Sequence, residues 1–440
     1  MPRQSIRAAD EDLAMFPHGV VRLTPLQGVP SAAGETLSLA QILDAKHLVA
    51  ALLTTFMADS DWLLVHIPRT VELTVVADRR ASLDKAAASG RLRLVRPEMA
   101  TPGVQLMHTK LMVLFYAAHM RLVVTTANLL EDEWTMVHNA AFVQDFPLDP
   151  SAVFAANEFS RSLAFALHDL HVPHDIIARL NNVDFSAAAA RIVTTVPTGG
   201  PRARRNMDSY GMLRLADVLR EFQRDCGTAA SSGTFEPDAR LLCVGSSLGR
   251  LDMPWLRDLY LCAHGVDPQP LPLWKRRQMA PDDLVDIAVG FHTQAQVDGC
   301  RFGPSCGRHV MARRETYDSP TFPRGSLFRV EPRVSGALVH AKAIVARTGT
   351  AQKTGWLYIG SHNCTPAAWG RLCYGGEAYF NNYELGVVLP NVEYVGALPS
   401  PCRTVWNGET VPLPFALIWE PYARGETPYF TDLRYLGDAS

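Results

Sequence analysis

The sequence predicts an α/β protein made of two similar α-β-α sandwich domains, related by a pseudo-twofold axis and sharing one active site at their interface. Three observations support this prediction. The chain has 440 residues, more than one ordinary hydrophobic core holds. Short apolar runs alternate with segments of helical spacing, which is typical of a mostly parallel sheet covered on both faces. A motif also occurs once in each half, and we assign the first copy to a domain at 1–188 and the second to a domain at 189–440.

The repeated motif is H-x-K followed by N-x5-W. Its residues are His108, Lys110, Asn128 and Trp134 in the first copy and His340, Lys342, Asn363 and Trp369 in the second. The Asn follows the His by 20 residues in the first copy and by 23 in the second, and the Trp follows the Asn by 6 residues in both. Chance rarely gives such a match twice, so the repeat indicates two related halves that use the same residues.

The first half is predicted to be a series of strands and helices after an irregular lead-in. Residues 37–57 have helical spacing, with Ser38 as the N-cap. The runs 110–116 and 121–126 are apolar on both faces, which suits central strands whose polar ends lie at the sheet edge where ligands bind. The other predicted elements are helices at 83–88 and 151–182, the latter broken near Pro173, and strands at 20–23, 62–66, 71–76 and 92–95.

The second half repeats this pattern. Two stretches rich in proline, glycine or arginine, 264–281 and 299–337, are predicted to be long loops, and such loops near a site usually shape substrate access. The residues after 390 have little periodicity and several aromatics, and we expect them to cover the surface. The predicted elements are strands at 191–197, 241–251, 338–346, 356–361 and 383–390 and helices at 210–222 and 252–263.

The composition is that of a globular protein, with 48% hydrophobic and 20% charged residues. The net charge of −2 gives no overall attraction to nucleic acid, so an anionic partner must be held by basic clusters at 202–205, 275–277 and 313–314, unless these are only solvated loops. The 8 cysteines lack the paired spacing of a zinc site. No apolar stretch approaches the ~18 residues of a membrane span. We therefore expect reduced thiols and a soluble, intracellular protein without membrane association.

The residue types of the motif suit a phosphodiester. On a strand, residues i and i+2 point to the same face, so each H-x-K places an imidazole beside an ammonium group. If the two copies converge, the lysines and asparagine amides bind the non-bridging oxygens, one His attacks phosphorus and the other protonates the leaving oxygen. The alternatives are core or surface histidines, turn-forming asparagines and structural tryptophans. A catalytic metal is disfavoured, because a lysine beside each His repels a cation.

Beyond the motif, several blocks resemble the phospholipase D superfamily and, within it, the tyrosyl-DNA phosphodiesterase family. The superfamily pattern H-x-K-x4-D lacks its Asp here, because Phe115 and Arg347 stand at those positions, and that loss is a feature of this family. The resemblance runs from residue 15 to the C terminus. The matching blocks are DSDWLL (59–64), HTKLMVLFY (108–116), RLVVTTANLLEDEW (121–134), YGMLRLADVL (210–219), VGSSLG (244–249), SHNCTPAAWG (361–370) and NYELGVVLP (382–390).

The resemblance implies a phospholipase D-like fold and a role for each site residue, with no metal and no cofactor. His108 is the nucleophile that forms a phosphohistidine with the 3′ end of DNA, and His340 first protonates the phenolic oxygen of the leaving tyrosine and then activates water. Glu384 orients a catalytic histidine, His108 across the domain interface, by accepting its second ring N–H, unless it is an ordinary strand carboxylate. The residues implied to hold the phosphate oxygens are Lys110, Lys342, Asn128 and Asn363.

Four features depart from the family pattern or lie beyond the motif. Asn139 stands where the family often has Gln, and this shorter amide must still reach His340 to orient it. Val104 stands where the family has an aromatic that stacks on a DNA base, so that stacking contact is expected to be lost. Ser246 and Ser247 lie at a predicted helix start, where they either bind a DNA phosphate or cap the helix. The long N terminus of animal members is absent, which indicates a compact, fungal-type member or a trimmed chain.

We therefore expect a metal-independent DNA repair phosphodiesterase that removes a topoisomerase I-derived tyrosyl peptide, and other blocking adducts, from 3′ phosphates at single-stranded ends, like an exonuclease. A monomer is expected because both motifs lie on one chain. A nuclear location is expected as well, although the sequence offers only a weak import signal at 201–205. Two alternatives stay open: another phospholipase D-superfamily nuclease or phospholipase, and a catalytically weak nucleic-acid-binding scaffold.

Overall fold

The computed structural model contains two mixed β-sheets with helices packed on them. The residues it describes are 15–99, 101, 104–152, 157–198, 202–203, 210–225, 239–348, 353–373, 377–395, 403–417 and 419–431. The predicted import signal at 201–205 therefore lies largely outside the described residues, as do Cys226, Cys402 and the last aromatic, Tyr435. The cysteines that are described are free thiols, as expected. No helix among the described residues is long and apolar enough to cross a membrane.

The first sheet is formed by strands from the first half of the chain. The strands of this half are β1 Val20–Leu23, β2 Ala50–Thr55, β3 Glu72–Ala77, β4 Arg93–Val95, β5 Leu106–Met107, β6 Leu111–Phe115, β7 His119–Thr125, β8 Val137–His138 and β9 Ala140–Pro147, of which β5 and β8 lie outside the sheet. The helices of this half are α1 Leu39–Leu43, α2 Ser60–Val65, α3 Asp84–Ala88, α4 Glu131–Thr135, α5 Glu158–Asp169 and α6 His174–Ile177, which continues into a 3-10 turn at Ala178–Asn182.

The second sheet is formed mainly by strands from the second half. The strands are β10 Arg191–Thr195, β11 Arg202–Ala203, β12 Arg240–Val244, β13 Ile287–Phe291, β14 Leu327–Arg329, β15 Leu338–Val339, β16 Lys342–Thr348, β17 Thr354–Gly360, β18 Arg371–Leu372, β19 Glu377–Tyr379, β20 Asn382–Val395, β21 Arg403–Trp406, β22 Glu409–Val411 and β23 Glu420–Pro421. The helices are α7 Gly211–Asp225, α8 Met253–Ala263, α9 Leu273–Met279, α10 Gln294–Asp298, α11 Arg314–Tyr317 and α12 Pro366–Trp369, with 3-10 turns at Pro304–His309 and Arg324–Ser326.

The two sheets have the same strand order. The first runs β9-β7-β6-β2-β3-β4 and the second β20-β17-β16-β12-β13-β14, and β1 and β10 add to β9 and β20 in the same antiparallel manner. This match confirms the predicted pair of similar α/β units. The prediction of mostly parallel sheets is wrong, because along these two strand orders only β2-β3-β4 and β12-β13-β14 pair in parallel. A tight turn joins β6 to β7, and strands joined so closely can pair only antiparallel.

Two short parallel pairings cross between the halves. The first is between β5 and β20, where Leu106 and Met107 lie opposite Asn382 and Tyr383. The second is between β15 and β8. Each of β5 and β15 directly precedes an H-x-K motif, so each motif is held by a strand of the other half. The motifs themselves lie at the break before β6 and at the start of β16, not within one continuous strand as predicted.

The predicted helix at 37–57 is correct only in its first part. Ser38 does cap α1, in a capping box with Gln41. The helix ends because Asp44 adopts a left-handed backbone conformation, with φ at 33°. The apolar run that follows is strand β2, which is buried along its whole length.

Three other predicted elements are wrong. The predicted strand at 62–66 is helix α2, because the Asp59 side chain accepts hydrogen bonds from the backbone N–H groups of Asp61 and Trp62 and so starts a helix. The predicted loop at 264–281 contains α9, and the one at 299–337 contains α11 and strand β14. Ser246 and Ser247 lie in the loop between β12 and α8, not at a helix start, because Asp252 is the N-cap of α8.

The core joins the two halves. One buried apolar cluster contains Leu122 and Phe142 of the first sheet together with Val387 and Leu389 of the second. A separate cluster lies on the other face of the first sheet, under α1 to α4. The C-terminal segment extends the second sheet through β21 and β22, and its Trp406 packs against Phe142 with ring centroids 6.0 Å apart. This segment therefore ties the halves together as well as covering the surface.

Candidate active site

A cleft of about 1900 Å³ lies where the two motifs meet. The predicted site residues that line it are His108, Asn128, Ser246, Ser247, His340 and Asn363. The other predicted residues lie behind this lining and are almost fully buried: Lys110, Asn139, Lys342 and Glu384. The structure thus brings both motifs to one cleft and divides the predicted residues into a lining and a supporting layer.

His108 is held by groups from the second half. Its backbone N–H donates to the Tyr383 carbonyl at 2.9 Å, which continues the pairing of β5 with β20. Its ring Nδ1 lies 2.8 Å from Oε2 of Glu384, the residue after Tyr383. The Glu384 carboxylate also accepts hydrogen bonds from Ser361 Oγ and Asn382 Nδ2. Because a carboxylate only accepts, Nδ1 of His108 carries the hydrogen and Nε2 keeps its lone pair.

His340 is held in the same way by the first half. Its backbone N–H donates to the His138 carbonyl at 2.9 Å, which continues the pairing of β15 with β8. Its ring Nδ1 lies 3.0 Å from Oδ1 of Asn139, the residue after His138. Asn139 is fixed in turn, because its Nδ2 donates to the Glu133 carbonyl at 2.7 Å. The short amide therefore reaches His340, and it occupies the place that corresponds to Glu384.

Both lysines fold back onto their own motif. Lys110 Nζ donates to the His108 carbonyl at 2.8 Å, and Lys342 Nζ donates to the His340 carbonyl at 2.7 Å. Lys342 Nζ also lies 2.9 Å from His340 Nε2. Each lysine nitrogen therefore lies against the histidine of its own motif, where a positive charge would act on an anion in the cleft.

The two asparagines are oriented by backbone groups that follow equivalent strands. Asn128 Oδ1 accepts from the Met57 N–H, just after β2, and Asn363 Oδ1 accepts from the N–H groups of Ser246 and Ser247, after β12, at 2.8 and 3.0 Å. With each oxygen occupied, the amide nitrogens are the groups that can donate, and Asn128 Nδ2 uses one of its two hydrogens on Glu133 Oε1 at 2.7 Å. The same contacts use the backbone N–H groups of both serines, which line the cleft, and that these serines bind a DNA phosphate stays a prediction.

Burial controls the charges of the site. Burial lowers the pKa of His108, and the nearby lysines lower it further against the opposing effect of Glu384. Burial likewise lowers the pKa of Lys110 to about 8 and that of Lys342 well below its usual range. Burial opposes ionisation of Glu384, but His108 outweighs it and lowers the pKa of this carboxyl to about 2. The site thus holds a neutral His108 imidazole that is hydrogen-bonded to the ionised Glu384 carboxylate.

Sequence reasoning missed a second carboxylate beside the motif histidines. Glu133 accepts from the backbone N–H and from Nδ2 of Asn128, and its Oε2 lies 3.4 Å from His340 Nδ1. His309 Nδ1 lies 3.5 Å from its Oε1. Glu133 falls inside N-x5-W, directly before Trp134, but the second copy has Ala368 at that place, so the repeat gave no signal for it. His309 carries no such signal either.

The remaining predictions concern aromatic and basic groups. Trp134 and Trp369 are buried, as expected for structural residues. Val104 lines the cleft and is 53% exposed, and the Phe56 ring makes an edge contact with the His108 ring at a centroid distance of 5.4 Å. Of the cluster at 275–277, Arg276 is buried in an ion pair with Asp258. The arginines that line the cleft are Arg80, Arg250, Arg308, Arg313 and Arg371.

The sequence model of the tyrosyl-DNA phosphodiesterase family matches residues 20–423. The chain belongs to the tyrosyl-DNA phosphodiesterase family of enzymes. A Drosophila melanogaster tyrosyl-DNA phosphodiesterase 1 is 25% identical over 427 residues, covering 90% of this chain and 70% of that relative. An Arabidopsis thaliana tyrosyl-DNA phosphodiesterase 1 is 25% identical over 411 residues, covering 87% of this chain and 62% of that relative.

The fold agrees with this family. The crystal structure of a yeast tyrosyl-DNA phosphodiesterase superposes with a TM-score of 0.72 at 18% identity, covering 94% of this chain and all of that one. The family therefore has the duplicated α/β architecture described above. Within the part of the chain that the structure describes, no group of three or more His, Cys, Asp or Glu is arranged to hold a metal ion.

Proposed function

We propose that the protein hydrolyses the bond between a tyrosine, as in a topoisomerase I-derived peptide, and the 3′ phosphate of DNA. The single observation that carries the proposal is the contact between His108 Nδ1 and Glu384 at 2.8 Å. It fixes the tautomer in which Nε2 has a free lone pair, which is what a nitrogen nucleophile requires. The opposing histidine, His340, lies on the same cleft and supplies the acid.

In the first step, His108 Nε2 attacks phosphorus. A P–N bond forms, the bond from phosphorus to the tyrosine oxygen breaks, and the phenolic oxygen takes its proton from His340. In the second step, His340 takes a proton from water, the resulting hydroxide attacks phosphorus and the P–N bond breaks. DNA with a free 3′ phosphate leaves, and both histidines return to their starting states.

The charge around the phosphate supports both steps. Lys110, Lys342 and the amide N–H groups of Asn128 and Asn363 suit the non-bridging oxygens, whose charge changes in the transition state, and Asn128 has one amide hydrogen left for this after its contact with Glu133. A bound phosphate also raises the pKa of each nearby lysine and of His340, because an anion stabilises their charged forms. Substrate binding therefore protonates His340 for the first step. None of these steps needs a metal or another cofactor.

The cleft suits a short single-stranded 3′ end. Five arginines and six carboxylates line it and the overall charge of the chain is −2, so phosphate binding depends on individual arginines and not on a basic surface. Because no aromatic stands at Val104, the adduct and the end base have more room there, and we propose that other 3′ blocking groups are accepted as well. A DNA repair role of this kind places the protein in the nucleus, and one chain is sufficient for the complete site.

The test is a 5′-labelled single-stranded oligonucleotide that carries a 3′-phosphotyrosine, incubated in EDTA. We expect the wild type to release a 3′-phosphate product, His108→Ala to release none, and His340→Ala to be slow and to accumulate a covalent protein–DNA adduct. Activity that appears only when a metal is added would contradict the two-histidine mechanism. Tight DNA binding without any product would favour the scaffold alternative.

A further inference from the structure

A buried chain of charged groups lies behind His340. His309, at the end of the 3-10 turn Pro304–His309, has its Nε2 at 2.8 Å from Asp132 Oδ2 and its Nδ1 at 3.5 Å from Glu133 Oε1. Its side chain is 6% exposed. Both ring nitrogens thus face carboxylates, and a carboxylate only accepts, so both nitrogens satisfy their partners only by donating. This geometry calls for an imidazolium.

Glu133 connects this imidazolium to the motif residues. Its Oε2 lies 3.4 Å from His340 Nδ1, and its two oxygens accept from the backbone and side-chain N–H groups of Asn128. The rings of His309 and His340 also meet edge to face, with centroids 5.8 Å apart. The Glu133 carboxylate therefore interacts with two imidazoles, those of His309 and His340.

His309 differs from the other buried histidines in its charge. Burial lowers the pKa of His138, His292 and His362 to about 4. Burial acts on His309 in the same direction, but the hydrogen bonds to Asp132 and Glu133 outweigh it and raise its pKa to about 9. A positive charge next to the proposed general acid is therefore present throughout the neutral range.

The charged groups around the two rings are few. The groups that act on His340 are Glu133, Lys342, His309 and Lys110. Those around His309 are Asp132, Glu133, His340 and Arg308, which donates to the same Asp132 oxygen and has its Nε 3.4 Å from His309 Nε2. Of these, only Glu133 favours the protonated form of His340. Anything that competes for Glu133 therefore weakens the hold of His340 on its proton.

We propose that His309 is a positioning residue that holds the Glu133 carboxylate between itself and His340 and thereby sets how readily His340 gives up and takes back a proton. The inference rests on the proposed two-histidine reaction. With His309 charged, Glu133 is partly neutralised and His340 is the stronger acid. Without that charge, Glu133 acts fully on His340, which then keeps its proton and is a poorer base for the second step.

Removal of the His309 charge should change the pH profile in a defined direction. Removing the positive charge of His309 raises the pKa of His340, so both the acid limb of intermediate hydrolysis and the alkaline limb of its formation move to higher pH. One charge at ~6 Å, in a dielectric between those of water and a protein surface, moves each limb by about one pH unit. Hydrolysis on the acid limb should therefore slow about tenfold, and the covalent adduct should accumulate.

The experiment is single-turnover cleavage of the 3′-phosphotyrosyl oligonucleotide across pH, stopped in SDS at neutral pH to preserve the P–N bond. We expect His309→Gln to shift both limbs upward and to accumulate adduct, whereas His309→Lys, which keeps a positive charge, should restore most of the wild-type profile. Asp132→Asn should shift the limbs in the same direction as His309→Gln. In a Glu133→Gln background, His309→Gln should shift the limbs by less than it does alone, because only the direct effect of the His309 charge on His340 remains.

The matched control is His119→Gln. His119 is another buried histidine beside a carboxylate, 3.7 Å from Asp145, but it lies at the start of β7 and not in the cleft lining. Its profile should match the wild type. A wild-type profile in His309→Gln, or equal shifts in the Gln and Lys variants, would overturn the inference. An inactive wild type, or activity that survives His108→Ala, would instead refute the proposed function itself.

Discussion

The two halves of the molecule share their strand order and their motif, but they differ in what holds the motif imidazole. In the half that carries His108, Nδ1 contacts the Glu384 carboxylate, and in the half that carries His340, Nδ1 contacts the Asn139 amide. Both partners follow a strand residue whose carbonyl accepts the histidine N–H from the other half. The duplicated fold therefore places a partner residue at the equivalent position beside each histidine. A difference in residue type at that position, Glu384 or Asn139, gives the two histidines different environments.

This difference fits the proposed roles of the two histidines, with His108 as the nucleophile and His340 as the acid and base. A full negative charge on Nδ1 stabilises the positive charge that develops on an attacking imidazole, so it suits a nucleophile. A neutral amide fixes the ring without binding its proton tightly, so it suits a group that gives a proton in one step and takes one in the next. The second half keeps a carboxylate near its histidine too, but Glu133 stands farther away and is shared with His309.

The largest effect should come from Glu384→Gln. The substitution keeps the shape but removes the charge and no longer dictates which ring nitrogen of His108 carries the hydrogen, so cleavage should fall by roughly 10³–10⁴-fold, as in other histidine–carboxylate pairs. Single-turnover formation of the covalent adduct measures this. Glu393→Gln, on the exposed part of the same strand, is the control and should cleave normally. A loss below tenfold would mean that Glu384 is only a structural strand carboxylate.

A smaller effect should come from Asn139→Asp, which makes the second half resemble the first. A carboxylate at the position now 3.0 Å from Nδ1 raises the pKa of His340, so the acid form persists to higher pH. Hydrolysis of the adduct should slow by about tenfold for each pH unit by which this pKa rises. The lifetime of the adduct at neutral pH measures this, with Asn139→Gln as the amide control. If Asn139→Asp left the adduct lifetime unchanged, the amide would not be what distinguishes the two histidines.

The sequence predicted those parts of the fold that local patterns determine. The strands at 110–116 and 121–126 were confirmed because a run that is buried on both faces has few other solutions. The predicted helix at 37–57 was wrong because a single residue, Asp44, turns the chain, and the apolar run after it fits either a helix or a strand. The predicted strand directions were wrong because the alternation of strands and helices along the sequence does not show where a tight turn joins two neighbouring strands.

The candidate site was predictable to the extent that it is repeated. Two copies of H-x-K and N-x5-W identified the residues that line the cleft and the lysines beneath them, since a duplicated pattern is itself a signal. His309 has no copy in the other half, and its partner Asp132 lies 177 residues away in the chain. Such a contact exists only once the halves have packed, so no local pattern indicates it. The charged residues behind the cleft lining are therefore the part of the site that this sequence alone does not predict.

The smallest effect should separate the two motif tryptophans. Trp134 and Trp369 are buried to the same degree, but Trp134 Nε1 donates to the Asn128 carbonyl at 2.8 Å, whereas Trp369 Nε1 has no hydrogen-bond partner among the described residues. Replacement of either by Phe removes similar volume, yet only Trp134→Phe also loses a buried hydrogen bond. The free energy of unfolding in urea should therefore fall by about 1 kcal/mol more for Trp134→Phe than for Trp369→Phe. Equal losses would show that the second indole finds a partner in solution and that the halves are more alike here than their contacts indicate.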